Sequence, residues 1–191
     1  INHRGPDSNG TWVNDVDPIV LGHTRLSIQD LSEAGSQPMT SSCGRYVIVF
    51  NGEIYNHTSL RLILSESGFH INWKGHSDTE TLLACVSTLG LRKTFDLLVG
   101  MFSFALWDRE LKNLTLARDR LGEKPLYWGW IGDTLIFASE LKAMKSHPDF
   151  TPIVDRGALK LYLQHCYIPA PFSIYEGIFK LLPGHFVEIP L

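Results

Sequence analysis

The stretch Val47-Ile48-Val49-Phe50-Asn51-Gly52-Glu53-Ile54-Tyr55-Asn56 sets a run of β-branched and aromatic residues directly ahead of a polar corner. Tyr46 to Phe50 has the composition of a strand covered on both faces, and Asn-Gly is the commonest dipeptide in a tight turn between strands. The plainest reading is a hairpin, with a second strand leaving from Ile54. A surface hairpin, however, has no need of an ionisable group just past its turn, and here Glu53 is followed by apolar Ile54 and Tyr55. The corner therefore also reads as a site. The Asn51 carboxamide and the Gly52 N–H offer two neutral donors at one point, which suits stabilisation of a developing oxyanion, and glycine lets backbone approach a ligand closely.

Outward from this corner, the spacing of Leu60, Ile63 and Leu64 predicts a helix over 58–67 closed by Gly68, and Phe69 to Trp73 alternates as a short strand would. Ser77-Asp78-Thr79-Glu80 has the capping-box pattern and opens a helix carrying Leu82, Leu83, Val86 and Leu89. Past Gly100 the period changes to that of strands, at 101–107, 114–117, 126–130 and 135–138. Ser139 to Lys145 reads as helical, Pro148 to Pro152 as a boundary loop, Asp155 as the cap of a helix to about His165, and Phe186 to Ile189 as a last strand. On the other side, Asn2 to Gly10 is rich in turn formers and reads as a loop of fixed shape, and Ile19 to Ile28 as a strand bearing His23 and Arg25.

A chain of 191 residues, 44% hydrophobic, can bury one substantial core, and a net charge of -3 gives no basic excess for nucleic acid or anionic membrane. Its three cysteines, Cys43, Cys85 and Cys166, are odd in number and far apart, which signals neither a disulfide framework nor a metal site. Each reads as a packed thiol in a reducing, cytoplasmic setting, and no apolar run reaches membrane length.

Three further features suggest chemistry. Arg4 is the one strong cation of the first loop and its planar guanidinium suits a carboxylate. Asp78 at a helix start, read locally, only offsets the helix dipole, but with Glu53 it could receive an ammonium group. Together with Asn51 and Gly52 these residues describe a pocket for an α-amino acid with a reactive side-chain carbonyl. In the charged run Arg118 to Lys124, Asp119 and Lys124 are expected to form a buried pair that fixes the loop. His23 is expected to be a satisfied, partly buried histidine.

Taken in order, His3-Arg4-Gly5-Pro6-Asp7, Leu21 to Ile28, Asn51-Gly52-Glu53-Ile54-Tyr55-Asn56, Ser77-Asp78-Thr79-Glu80, Ala117-Arg118-Asp119 through Tyr127, and Phe137 to Lys142 resemble the glutaminase domain of glutamine-hydrolysing asparagine synthetase, a class II glutamine amidotransferase. The resemblance implies an α+β fold of the N-terminal-nucleophile hydrolase type, a four-layer αββα sandwich of two antiparallel sheets. It implies L-glutamine as substrate, attacked by an N-terminal Cys whose own α-amino group handles the proton, with ammonia passed to an ATP-using domain. Residue by residue it makes Asn51 and Gly52 the oxyanion hole, Arg4 the binder of the substrate carboxylate, and Glu53 and Asp78 the acids at its ammonium, which reverses the local reading of Asp78.

The departure lies at the front, because the family's Cys-Gly-Ile start and first strands would precede Ile1. An N-terminally truncated and inactive fragment is therefore expected, with residues 1–152 as the amidotransferase domain and 153–191 as its end and a linker into a synthetase domain. That domain would be the partner of this one and would hold ATP and Mg²⁺; no cofactor or metal is expected in this chain, and a homodimer is compatible with it. Aminators of sugar phosphates or phosphoribosyl donors share the general plan, but Glu53-Ile54-Tyr55 and Lys124-Pro125-Leu126-Tyr127 look more like the asparagine synthetase type. Two readings stay open beside it: amidation of another carboxylate, such as that of a surface-polysaccharide sugar, and a non-catalytic glutamine-binding module.

Overall fold

Backbone hydrogen bonding in a computed structural model, which describes residues 1–191, divides the chain into ten strands and five α-helices. The strands are β1 (Ser8–Val13), β2 (Val20–Arg25), β3 (Met39–Thr40), β4 (Tyr46–Ile54), β5 (Gly100–Asp108), β6 (Asn113–Arg118), β7 (Tyr127–Ile131), β8 (Thr134–Ala138), β9 (Ile178–Lys180) and β10 (Phe186–Pro190). The helices are α1 (His57–Glu66), α2 (Asp78–Leu89), α3 (Leu91–Leu97), α4 (Leu141–Met144) and α5 (Arg156–His165).

A central five-stranded antiparallel sheet runs β10-β6-β5-β4-β3. Residues of β4 and β5 are buried almost throughout, so alternation assigns them to two different cores rather than to core and solvent. Ile48, Phe50, Ile54, Phe102, Phe104 and Leu106 face α1, α2 and α3, where they meet Leu60, Leu64, Leu82 and Leu83. Val47, Val49, Ala105 and Trp107 face the opposite way, against Leu21 of β2, Leu126, Leu181 and the half-buried Trp128, Leu135 and Phe137. The second face is thus sheet on sheet, with Trp107 fully buried at its centre.

Two antiparallel layers pack face to face as the sandwich requires, but the second layer is divided into β1-β2 and β8-β7-β9. The outer helix layer is reduced to the short α4, which packs on β8. Residues after 152 are built into the domain, since β9 pairs with β7 and β10 with β6.

Four expectations are corrected. Asn51-Gly52 is not a turn: β4 continues straight through it, paired residue for residue with β5 from Tyr46↔Asp108 to Ile54↔Gly100. The long partner strand overrides the local turn preference. Phe69 to Trp73 forms no strand. Ile71 and Trp73 instead pack on the helical core, the Arg61 guanidinium lies 3.9 Å over the Trp73 ring, and the amides of Lys74 and Gly75 are satisfied by the Glu80 carboxylate. The opening segment is not a loop throughout: Asn2–Arg4 make one 3₁₀ turn, and from Ser8↔Arg25 onward β1 pairs with β2.

Asp119, finally, is buried but bonds no lysine side chain. Its carboxylate accepts the amides of Phe102, Leu121, Glu123 and Lys124, while the Arg118 guanidinium donates to the carbonyls of Gly122, Lys124 and Leu181. The loop is fixed through backbone, so its lysine is dispensable. Asp119→Ala strands the buried Phe102 amide and three part-buried ones and is expected to cost about 3 kcal/mol, whereas Lys124→Met should stay within about 0.5 kcal/mol of the parent in urea denaturation.

Candidate active site

β4 outlasts its neighbour. β3 covers it only at Val47 and Ile48, so from Phe50 onward the outer edge of β4 has no strand beside it. Which residues turn their backbone outward follows from the bonds at the two ends: Tyr46 accepts from Ser41 on the β3 side, and Tyr55 donates to Val99 on the β5 side. Even-numbered residues thus face the open edge, and alternation makes these Phe50, Gly52 and Ile54.

Side chains complete most of that edge. The Phe50 N–H donates to Gln37 Oε1 at 2.7 Å, the Phe50 carbonyl accepts from His23 Nε2 at 3.1 Å, and the Ile54 N–H donates to Asp78 Oδ2 at 2.8 Å. Between these caps the backbone of Gly52 has no partner. A Cβ there would collide with the Met101 carbonyl and with Phe102, so the close approach of β4 to β5 demands glycine at this position.

The odd-numbered side chains of β4 point toward the second sheet. Asn51, paired with Ser103, lines a cleft of about 1000 Å³ bounded by β1 and β2 on one side and by β8 on the other. Asn51 Nδ2 lies 3.5 Å from Ser139 Oγ, a long contact that leaves the amide available. Arg4 and His23 line the same cleft, and Arg4 Nη1 donates to Glu140 Oε1 at 3.1 Å, with His3 on the same oxygen. Those contacts hold the Glu140 carboxyl below its usual range, with the bond from Arg4 the foremost cause.

The remaining expected site residues stand at the far end of β4. Glu53 accepts from Gln29 Nε2 at 2.9 Å. Asp78 is buried at the first turn of α2, where its two oxygens accept from Ile54 N and Thr79 N; burial pushes its carboxyl above the ordinary Asp range in spite of those bonds. Ser77 caps α2 through the Glu80 amide as the capping pattern predicts, but Glu80 turns away to Lys74 and Gly75. The structure therefore gathers Asn51, Gly52, Glu53 and Asp78 around one strand end. Arg4 is brought to the Asn51 side of it through Ser139 and Glu140.

Gln37, His23 and Gln29, which bond Phe50 and Glu53, were not legible as neighbours of this corner, since each reaches it through a contact distant in sequence. His23 is only half satisfied: Nε2 is bonded, but Nδ1 is buried without a partner. Among the cysteines only Cys85 is a packed thiol, its pKa raised to about 11 by burial; Cys43 and Cys166 are exposed. None of them lines the cleft.

The model of the glutamine amidotransferase domain family matches residues 1–190. The chain belongs to this family. Among curated proteins, this amidotransferase domain is 36% identical over 201 residues to a putative glutamine-hydrolysing asparagine synthetase of Methanocaldococcus jannaschii, covering 95% of the chain and 38% of that relative. It is 39% identical over 185 residues to asparagine synthetase 1 of Bacillus subtilis, covering 96% of the chain and 28% of the relative. The domain thus spans well under half the length of these relatives. Among solved structures, the glutamine phosphoribosylpyrophosphate amidotransferase of B. subtilis superposes with a TM-score of 0.55 at 24% identity, over 66% of this chain and 28% of that one. That likeness shows that the two share the expected α+β fold of packed antiparallel sheets. No helix of the domain is long and apolar enough to cross a membrane.

The raised carboxyl of Asp78 has a consequence for stability. Its charged form is disfavoured on folding, so its contribution worsens as pH climbs through the window above the ordinary Asp value of 3.8. Asn at this position carries no such dependence. Asp78→Asn is therefore expected to gain stability relative to the parent between about pH 3.5 and pH 7, read by urea denaturation at both ends; a flat or opposite difference would show that the native site favours the carboxylate.

Proposed function

We propose that the domain is the glutaminase part of an asparagine-synthetase-like amidotransferase, converting L-glutamine to glutamate and ammonia. The carrying observation is the unpartnered backbone of Gly52 at a strand edge that is otherwise capped, one residue from a loosely held Asn51 carboxamide. Two neutral donors placed where a carbonyl oxygen can reach them would stabilise the oxyanion of a tetrahedral intermediate without bringing a charge into the site. Asn51 and Gly52 are accordingly assigned as the oxyanion hole.

In this reading Arg4 receives the glutamine α-carboxylate, sharing its guanidinium with Glu140, and Glu53 and Asp78 lie on the side of the α-ammonium. None of the three cysteines lines the cleft, and this reading calls for the thiol of an N-terminal nucleophile as the attacking group. Ammonia then passes to a downstream synthetase domain that uses ATP and Mg²⁺ to amidate aspartate. Support for that partner is the greater length of the asparagine synthetases to which the chain is similar.

Calorimetric titration of the 191-residue chain with L-glutamine, and glutamate release by the full-length protein, test the two halves of the proposal. L-glutamine should bind, D-glutamine should not, and Arg4→Ala should weaken binding; unchanged affinity in that variant would move the carboxylate to another cation. In the full-length protein Asn51→Ala should lower turnover by about 10²-fold or more. Binding without any turnover in the full-length protein would favour a glutamine-sensing module over an enzyme.

A further inference from the structure

We propose that His23 and Gln37 are positioning residues for the Asn51 and Gly52 donors, acting by holding the two outward backbone groups of Phe50. The inference rests on the oxyanion role proposed above. Phe50 occupies the first place on the β4 edge that β3 fails to cover, and both of its free groups are taken by side chains from other elements, Gln37 from the loop ahead of β3 and His23 from β2 in the facing layer. The carbonyl held by His23 belongs to the same planar peptide unit as the Asn51 amide, so fixing it fixes the direction in which the Asn51 side chain leaves the strand. Gly52 follows one peptide later.

The clamp is tied to the other end of the notch. Gln37 Nε2 lies 3.4 Å from Thr79 Oγ1, and the Thr79 amide donates to Asp78 Oδ1, whose other oxygen takes Ile54 N. Gln37, Thr79 and Asp78 thus form a side-chain bracket from Phe50 to Ile54 that steps over Gly52 and leaves it open. A third strand in that place would have paired Gly52 as well, so side-chain caps are the means by which one residue of the edge stays free.

Histidine fits its position for a chemical reason. A carbonyl can only accept, so Nε2 carries the proton, and burial lowers the His23 pKa and keeps the ring neutral. A neutral donor leaves the field at the oxyanion donors unchanged, which a Lys or Arg here would not. The cost is the bare, buried Nδ1. Such a cost is one that an apolar residue would avoid, and the hydrogen bond to Phe50 is what histidine gives in return.

The test is steady-state glutamine hydrolysis by the full-length protein carrying His23→Leu, His23→Gln or Gln37→Leu, at a temperature where circular dichroism shows each to be folded. Loss of positioning should lower kcat by about 10²-fold in His23→Leu with KM little changed, and His23→Gln, whose amide can still donate to the Phe50 carbonyl, should recover most of that loss. Gln37→Leu gives the same reading from the other side should His23→Leu not fold. An independent signature is the ¹⁵N spectrum of the 191-residue chain, in which His23 should show a protonated Nε2 and a free Nδ1, and the Gly52 amide resonance should move in His23→Leu but not in His23→Gln. Full kcat in His23→Leu or Gln37→Leu beside a crippled Asn51→Ala overturns the clamp alone, and so does equal damage by Leu and Gln at position 23. Full kcat in Asn51→Ala overturns the oxyanion reading and the clamp with it.

Discussion

Every buried backbone amide and carbonyl must find a partner, and the mismatch between a nine-residue β4 and a two-residue β3 is where this domain meets that demand in an unusual way. A strand edge left bare inside a protein would be costly, and one left bare at the surface would invite pairing with another chain. Here the edge is finished by Gln37, His23 and Asp78, drawn from a loop, a strand of the other layer and a helix start. The gap between those caps is one glycine wide.

That arrangement depends on layers that hold their spacing. Trp107, Val47 and Val49 set the distance between the central sheet and β2, which carries His23, while the packing of Leu82 and Leu83 against Phe50, Phe102 and Phe104 seats the N-terminus of α2, and with it Asp78. The site is therefore supported from both cores at once. The division of the second layer opens the cleft onto which Asn51 projects, so the same packing that buries β4 on two faces exposes its polar end at one place. The Asp119 and Arg118 loop follows the same principle elsewhere, holding a turn through backbone groups rather than through ion pairs.

Much of this could be read in advance where short-range rules govern. The capped starts of α2 and α5, the strands from 101 to 138 and the last strand follow from periodicity and from Ser, Asp and Gly at element ends. Reading failed where a distant partner outvotes local preference. Asn51-Gly52 is a turn by composition and a strand by pairing, and Phe69 to Trp73 is a strand by alternation that found helices to pack on and no edge to join. Asp119 and Lys124 looked like an ion pair because sequence shows side chains more plainly than it shows backbone amides.

By itself the sequence determined the chemistry on offer: an uncharged donor pair at Asn51 and Gly52, carboxylates at Glu53 and Asp78, a guanidinium at Arg4, and the alternating and 3.6-residue patterns that make packed antiparallel sheets flanked by helices. Only the tertiary structure decided that Gly52 stays unpaired while its neighbours along the edge are capped, that Arg4 is held by Glu140, and that His23 and Gln37 are the side chains that cap the edge at Phe50. The reason is physical. Which groups are present is written residue by residue, whereas which of them remain free is settled by hydrogen bonds between segments far apart in the chain, and those exist only once the sheets have packed.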